Sequence, residues 1–242
     1  MSIFPDNIRF LRSNKNLSQQ KVLGRVRSIF PNNFKMYNTD MQLSLFDAGE
    51  YYQFPTELLD YTEHFLSEER ATEIEKILIE TVPWKQNTQK MYDKEVLTPR
   101  LTAWYGDDEK SYHLGGNEFS VNAWTPELLG LKYKIQKLTG HQFNSVLLNF
   151  YRDGNDSVAW HRDKESELGN RPVIASVSFG QVRNFDFRKK DNHQNKYTLP
   201  LQHGSLLIMK GDLQTNWEHR IAKSTRPMKP RINLTFRNIR EL

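Results

Sequence analysis

Arg231-Ile232-Asn233-Leu234-Thr235-Phe236-Arg237 is a run of seven residues in which polar and apolar side chains alternate strictly. Successive side chains of a strand point to opposite faces, so this run predicts a strand with one face in the core and one polar face. The two arginines of the polar face are six residues apart, or about 20 Å along a strand. Because both side chains can lean inward, they could hold the two ends of a short dicarboxylate.

Shorter stretches upstream have the same kind of composition, with Gly, Asn or Asp between them. They predict further strands at residues 145–151, 173–179, 184–188 and 205–209, besides 232–237. We interpret Gly180-Gln181-Val182 as the connection of a hairpin between two of these strands.

Two helices are predicted ahead of the strands. The first covers residues 67–80, with Ser67 as its N-cap and Pro83 after its end. The second begins at Thr125-Pro126 and ends at Gly140. Apolar residues recur in both at helical spacing: Ala71, Ile74, Ile77 and Leu78, then Leu128, Leu131, Ile135 and Leu138. Two helices followed by many antiparallel strands predict an α+β protein, a double-stranded β-helix (jelly-roll) core with supporting N-terminal helices.

The composition of the 242-residue chain excludes several classes of protein. With no cysteine, it has neither a disulfide framework nor a thiolate metal site. No apolar run approaches the roughly 18 residues of a membrane span, and the N-terminus lacks the apolar stretch of a secretory signal. We therefore expect an intracellular monomer without a membrane segment, not secreted, cytoplasmic in a bacterium or nuclear in a eukaryote. The net charge of +5 permits a polyanionic partner.

Residues 1–53 differ from the rest of the chain, because they are polar, basic and rich in Asn, Gln and Ser. We interpret them as a flexible N-terminal arm, and residues 54–242 as the functional domain. Within the arm, Gln42-Leu43-Ser44-Leu45-Phe46 resembles the pentapeptide by which bacterial replication and repair proteins dock on the sliding clamp. A chance match, or packing of the tail against the core, is the alternative.

Two distant clusters form a candidate metal site. If residues 161–163 lie in a strand, His161 and Asp163 point the same way and Arg162 faces away. Together with His219 they make a two-histidine, one-carboxylate set, which binds Fe(II) on one face and leaves other positions open. Zinc is the rival metal, since a catalytic zinc site also keeps an open position. The arginine strand favours iron, because it offers fixed cations for a dicarboxylate co-substrate. Asn149 and Tyr151, on one face of their strand, also suit carboxylate oxygens.

Five stretches together resemble the AlkB family, over about residues 80–240 and most closely its DNA-acting branch. They are residues 149–154, 161–165, 175–180, 203–207 and 230–237. This resemblance implies an Fe(II)- and 2-oxoglutarate-dependent dioxygenase that uses O2, with ascorbate as supporting reductant, and repairs alkylated DNA. The implied iron ligands, which are also the catalytic residues, are His161, Asp163 and His219. The implied 2-oxoglutarate-binding residues are Asn149, Tyr151, Arg231, Asn233 and Arg237.

The resemblance also implies residues on the substrate side. Glu165 stands where the family has an acidic residue that reads the damaged base, and 1-methyladenine and 3-methylcytosine are cations that a carboxylate stabilises. Residues 98–107, with Arg100 and Trp104, resemble the lesion-side segment. Tyr112 is kept in the stretch that follows, but Leu114 and Gly115 replace the family's stacking aromatic and serine. Trp104 or Phe119 is then a candidate wall of the base pocket.

Basic residues are candidates for phosphate contacts, although a solvated surface is the default for each. They are Arg100, Arg162, Arg183, Lys189 and Lys190. The reaction implied is oxidation of the N-methyl group of a flipped base, release of formaldehyde and conversion of 2-oxoglutarate to succinate. The departure at Leu114 leaves open a relative acting on RNA, protein or another substrate. A catalytically inactive nucleic-acid-binding module would need neither the triad nor the arginine pair.

Overall fold

The described residues of the computed structural model form two larger antiparallel sheets, two two-stranded sheets and three helices. The structure describes residues 54–91, 94–107, 112–114, 117–119, 121–163 and 168–240, with the backbone alone for 89–91, 94, 112–114 and 117–119. The expected arm at 1–53, with Gln42–Phe46, lies outside the described residues, and so does Glu165.

The described elements are short, and most of them are strands. The strands are β1 (Leu59–Thr62), β2 (Thr88–Met91), β3 (Lys94–Leu97), β4 (Leu101–Gly106), β5 (Tyr112–Leu114), β6 (Asn117–Phe119), β7 (Ser145–Tyr151), β8 (Val158–His161), β9 (Ile174–Gly180), β10 (Arg183–Lys189), β11 (Lys196–Leu201), β12 (Ser205–Met209), β13 (Trp217–Ile221) and β14 (Arg231–Arg237). The helices are α1 (Glu68–Thr81), α2 (Pro126–Thr139) and α3 (Leu213–Asn216).

The major sheet has six strands in the order β1-β12-β9-β14-β7-β4, and the minor sheet has four in the order β11-β10-β13-β8. Each sheet has one face in a shared apolar layer, where Phe185, Phe187 and Leu199 of the minor sheet join Leu207 and Met209 of the major sheet. This pair of antiparallel sheets is the predicted jelly roll, and the prediction is confirmed. Strand β14 lies inside the major sheet, between β9 and β7.

The helices α1 and α2 cover the other face of the major sheet. Most residues of their predicted apolar stripes join the even-numbered side chains of β14, Ile232, Leu234 and Phe236, in one buried cluster. Leu138, predicted for the stripe of α2, is instead 60% exposed near the end of the helix. Both predicted starts are confirmed, because the Ser67 hydroxyl accepts from Arg70 N and the Thr125 hydroxyl accepts from Leu128 N. Gly140 ends α2 in the left-handed region at φ 73°. With the helices on one face, the odd-numbered side chains of β14 are turned toward the minor sheet.

One predicted connection is wrong. Gly180-Gln181-Val182 is not a hairpin turn, because β9 pairs with β12 and β14 in the major sheet whereas β10 pairs with β11 and β13 in the minor sheet. The link instead carries the chain from one sheet to the other. Gly180 adopts φ +79° there, and a Cβ would meet Pro230 O at 2.5 Å. The strands β1, β4, β11 and β13 were also not predicted, since each is short and lacks an uninterrupted apolar alternation.

Candidate active site

Three side chains that could hold a metal ion meet between the two sheets. His219 lies in β13 and His161 ends β8, and the two are paired across the minor sheet. One ligand atom each from His161, Asp163 and His219 lies within 4.8 Å of the others. The imidazole centroids are 4.3 Å apart, and His161 Nε2 is 3.9 Å from Asp163 Oδ1.

The reason given for this convergence from the sequence is wrong in part. Strand β8 ends at His161, so Asp163 lies two residues beyond it and strand alternation does not aim its carboxylate. Arg162 does not simply face away, since it lines the same cavity and donates from Nη1 to Thr215 O over 2.9 Å. The three candidate ligands are nevertheless brought together by the tertiary structure.

The donor atoms of the three residues suit a divalent cation. Burial, with a smaller effect from His161, lowers the pKa of His219 to about 3, so its ring is neutral at neutral pH. Its Nδ1 is buried without a hydrogen-bonding partner among the described residues. The His161 Nδ1 lies 2.9 Å from the acceptor Ala159 O, which leaves Nε2 as the ring's lone-pair atom. Burial raises the pKa of the Asp163 carboxyl, but Arg237 and the two histidines outweigh it and the pKa is lowered. The donor set is therefore one carboxylate and two imidazoles, which fits Fe(II).

A cavity of about 350 Å³ adjoins this cluster. Its lining includes the three candidate ligands and all the residues expected to bind a dicarboxylate: Asn149, Tyr151, Arg231, Asn233 and Arg237. Strand pairing explains their proximity, because Asn233 lies opposite Asn149 and Arg231 lies opposite Tyr151 in the major sheet.

The two arginines of β14 occupy different parts of the cavity wall. Arg237 donates from Nη2 to Asp163 Oδ1 over 3.0 Å, so it lies beside the metal cluster. Arg231 is 1% exposed, donates from Nη2 to Ser178 Oγ over 3.0 Å, and lies 5.1 Å from the centroid of the Tyr151 ring. Burial lowers the pKa of Arg231, and its Nε and Nη1 have no hydrogen-bonding partner among the described residues. Buried guanidinium donors of this kind suit a carboxylate group.

Asn149 and Asn233 differ in which of their hydrogen-bonding groups remain for a ligand in the cavity. Asn149 Oδ1 accepts from Arg100 Nε over 2.8 Å, which leaves its Nδ2 group for a cavity ligand. Asn233 donates from Nδ2 to Ser176 Oγ over 2.7 Å and accepts at Oδ1 from Thr235 over 3.1 Å. Asn233 therefore also braces β14 against β9, a role that its sequence position did not indicate.

The substrate-side residues are only partly described. Arg100 lines the cavity, as its expected role requires. Trp104 does not line it: this side chain is 2% exposed and packs with Leu147, so the expectation of a base-pocket wall at Trp104 is corrected to a core position. The side chains of Tyr112, Leu114 and Phe119 lie outside the described residues.

Arg183 is not a phosphate-binding side chain, contrary to the expectation. It is 4% exposed, and its guanidinium donates to three carbonyl oxygens, those of Asp153, Asp156 and Ala222, at 3.1, 3.0 and 2.5 Å. These acceptors belong to the β7–β8 loop and to the end of β13. Arg183 therefore ties together the segments that lead to His161 and from His219. No local pattern around residue 183 distinguishes it from an exposed arginine.

Trp160 is a further residue at the cavity that the sequence did not single out. It lines the cavity beside His161, and the guanidinium carbons of Arg188 and Arg220 lie 4.0 and 4.5 Å from its ring centroid. These arginines come from β10 and β13, so only the sheet pairing brings them to Trp160.

Among the described residues, no helix is both long and apolar enough to cross a membrane.

Comparison with known proteins matches residues 59–237 to the model of the 2OG-Fe(II) oxygenase superfamily. The chain is 45% identical over 183 residues to alpha-ketoglutarate-dependent dioxygenase alkB homolog 3 of Bos taurus, covering 72% of this chain and 64% of that protein. It is 40% identical over 157 residues to the DNA oxidative demethylase ALKBH2 of Homo sapiens, covering 62% of this chain and 60% of that protein. The match thus spans less than two thirds of the length of these relatives.

Solved structures share the fold at low sequence identity. The structure of OsALKBH1 superimposes with a TM-score of 0.56 and 14% identity, covering 76% of this chain and 100% of that one. A prolyl hydroxylase of Trichoplax adhaerens, solved with a peptide fragment of hypoxia inducible factor, reaches 0.51 and 14% identity over 76% of this chain and 84% of that one.

Proposed function

The chain belongs to the 2OG-Fe(II) oxygenase superfamily and to its AlkB family, and from this premise we propose that it is an Fe(II)- and 2-oxoglutarate-dependent dioxygenase that demethylates N-alkylated bases in DNA. The observation that carries the proposal is one cavity lined by His161, Asp163 and His219 and by the buried cations Arg231 and Arg237. A binding module would have no need of both sets.

In this proposal His161, Asp163 and His219 hold Fe(II). When bound with 2-oxoglutarate and O2, the metal supplies the oxidising chemistry, and the protein supplies binding, orientation and a site closed to water. Because all three ligands are on one side, the remaining coordination positions stay open to the co-substrates. Burial of Asp163 and His219 keeps that side of the site dry.

The dicarboxylate would lie along β14. Arg237, beside Asp163, takes the carboxylate next to the keto group, and Arg231 takes the far carboxylate with its unused Nε and Nη1 donors. The Tyr151 phenol lies at the Arg231 end, and Asn149 adds an amide donor. Asn233 would line the path while holding β14 to β9.

The nucleic-acid substrate would approach from the open side of the cavity. A methylated base has to leave the helix to reach a metal this deep, so base flipping is required. Glu165 would stabilise the cationic 1-methyladenine or 3-methylcytosine, with Arg100 and Tyr112 beside the base. Oxidation of the N-methyl group, loss of formaldehyde and conversion of 2-oxoglutarate to succinate complete the proposed repair. The name of the DNA oxidative demethylase ALKBH2 supports DNA over other substrates.

A second candidate keeps the chemistry and changes the substrate to RNA, protein or another molecule. The observation in its favour is Leu114, which stands where the family resemblance implies a base-stacking aromatic. Offering methylated RNA in parallel with DNA separates the two candidates.

The test is incubation of the purified protein with Fe(II), 2-oxoglutarate and ascorbate and with 1-methyladenine or 3-methylcytosine in single- and double-stranded DNA. Base repair is followed by mass spectrometry and succinate by chromatography. Repair that requires 2-oxoglutarate and is absent in Asp163→Ala supports the proposal. Succinate without repair on any DNA would favour the second candidate. If neither succinate nor repaired base forms, both candidates are contradicted.

Four accompanying predictions concern the rest of the protein. We propose that residues 1–53 are a flexible arm ahead of the catalytic domain 54–242, and that Gln42–Phe46 docks on a sliding clamp. Deleting residues 42–46 should abolish clamp binding while sparing turnover on free oligonucleotides, and retained clamp binding would exclude this role. A monomeric state and an intracellular, cytoplasmic or nuclear location also stay predictions.

A further inference from the structure

We propose that Gln214 is a positioning residue for Asp163, holding the backbone of this candidate ligand in the orientation that a divalent cation requires. The inference rests on the proposed function, because it concerns the same metal centre. The structural basis is a hydrogen bond from Asp163 N to Gln214 Oε1 over 3.0 Å, between residues that are 51 positions apart and both buried.

Asp163 needs such a partner because it lies outside the sheet. The pairing of β8 with β13 ends at the His161–His219 pair, so no ladder hydrogen bond is available to the Asp163 amide. A buried N–H without a partner destabilises the folded protein, because it has given up its hydrogen bonds to water. The side-chain oxygen of Gln214 accepts the hydrogen bond that a backbone carbonyl of a neighbouring strand would otherwise accept.

Gln214 is itself held in place. It is 5% exposed, and the far end of its amide donates from Nε2 to Met209 Sδ over 3.6 Å. The neighbouring Leu213 is completely buried, which anchors α3 in the layer between the sheets. With both ends of the amide engaged, the oxygen points to Asp163.

The short helix α3 and its cap make two further contacts with described residues on either side of Asp163. Arg162 Nη1 donates to Thr215 O over 2.9 Å, beside the Gln214 bond. Beyond the loop, Arg171 Nε forms an ion pair at 2.9 Å with Asp212, the residue that precedes α3. The described residues on both sides of 164–167 are therefore tied to α3 or to its cap.

The same helix leads directly into β13, since Asn216 is followed by Trp217, and His219 is the third residue of that strand. Two candidate ligands thus depend on α3, His219 through the chain and Asp163 through Gln214. The Asp163 carboxylate is fixed separately by Arg237. Arg237 thus orients the side chain of Asp163, and Gln214 orients its backbone. Residues that hydrogen-bond to a metal ligand raise the affinity for the metal by fixing the ligand in this way.

The test is Gln214→Met, which keeps the volume and removes the strong acceptor. Mn(II) affinity is measured by electron paramagnetic resonance on the full chain, and the Co(II) visible absorption spectrum reports the coordination geometry. We expect Mn(II) binding to weaken about 10- to 100-fold and the Co(II) bands to shift. The exposed Gln194 offers a matched control, and Gln194→Met should leave both readouts unchanged.

Unchanged Mn(II) affinity with an unchanged Co(II) spectrum in a folded Gln214→Met protein would overturn the proposal and leave Gln214 a packing residue. Gln214→Asn serves if Gln214→Met is not recovered folded, because its amide is one methylene too short for the 3.0 Å bond. Failure of the proposed metal centre is distinguishable, because the wild-type protein would then bind no Mn(II). A different substrate would leave Mn(II) binding intact, and failure of the inference requires a wild-type site that binds Mn(II) and is insensitive to the change at residue 214.

Discussion

Arg237 donates a hydrogen bond from Nη2 to Oδ1 of Asp163 over 3.0 Å, and the two side chains are 4% and 6% exposed. This pair joins the polar face of β14 to the loop that follows β8. The candidate metal ligand and the candidate co-substrate cation therefore neutralise each other in the metal-free protein. A cation at the triad would share the carboxylate with Arg237.

The first prediction concerns this pair. Asp163→Ala should abolish 2-oxoglutarate turnover, and it should lower the unfolding free energy of the metal-free protein by about 3–5 kcal/mol because a buried guanidinium loses its counter-charge. Asp163→Asn should also be inactive but lose less stability, since its amide oxygen can still accept from Arg237. Urea unfolding and succinate formation are the measurements. Turnover by Asp163→Ala at the wild-type rate would contradict the ligand assignment.

We expect Arg231 to lower the stability of the protein without co-substrate and to raise its affinity for 2-oxoglutarate. Arg231→Met should raise the KM for 2-oxoglutarate by about 30-fold or more, the lower end of the loss for a buried charge contact. The same variant should unfold at a higher urea concentration in the absence of co-substrate, because a buried cation with unused donors is removed. Steady-state kinetics and urea unfolding check the two effects.

Arg226→Met is the control for Arg231→Met, because residue 226 is exposed and distant from the cavity lining. It should change neither quantity. A KM for 2-oxoglutarate that stays at the wild-type value in Arg231→Met would place the far carboxylate elsewhere.

Acid should destabilise the metal-free protein through His219. Burial lowers the pKa of this imidazole from 6.5 to about 3. Below pH 6.5 the unfolded chain takes up a proton that the folded protein does not, so the contribution is complete above pH 6.5 and is lost as the pH falls toward 3. The expected slope is about 1.4 kcal/mol per pH unit within this window.

The measurement is urea unfolding of the metal-free protein between pH 7 and pH 4.5, compared with His219→Asn. The variant lacks this imidazole. The unfolding free energy of the wild-type protein should therefore fall relative to that of the variant as the pH is lowered. Parallel pH dependences of the two proteins would show that His219 titrates normally. The lowered pKa of Asp163 adds a loss of the same sign, but only when the pH falls below the ordinary aspartate pKa of 3.8.

Arg183→Met separates a bracing role from a phosphate contact. Three carbonyl oxygens would lose their donor, that of Asp156 in a buried hydrogen bond and those of Asp153 and Ala222 in partly buried ones. We therefore expect a loss of about 3 kcal/mol in unfolding free energy. The salt dependence of DNA binding should not change, whereas each lost phosphate contact lowers the slope of log K against log salt by about 0.9. The exposed Lys190 provides the control, and Lys190→Met should preserve stability.

Local sequence was sufficient for elements whose signals lie within a few residues. Ser67, Thr125-Pro126 and Gly140 marked the ends of α1 and α2, because capping involves only neighbouring backbone groups. The alternation of β14 and β7 was readable for the same reason, since one face of each strand is apolar. The hairpin predicted at 180–182 is wrong because the choice of sheet for β10 depends on pairing with residues that lie 8 to 36 positions further along the chain.

The sequence by itself determined the chemical inventory of the site: two histidines, an aspartate and two arginines, together with the polar face of the strand that carries the arginines. Side-chain chemistry and strand periodicity are local properties, so they can be read along the chain. Only the tertiary structure decided that Asp163 lies beyond β8 and is held by Gln214 and Arg237, that Arg183 is buried as a brace, and that Trp104 is in the core. These outcomes depend on burial and on hydrogen bonds between distant segments, which exist only after the two sheets have packed together.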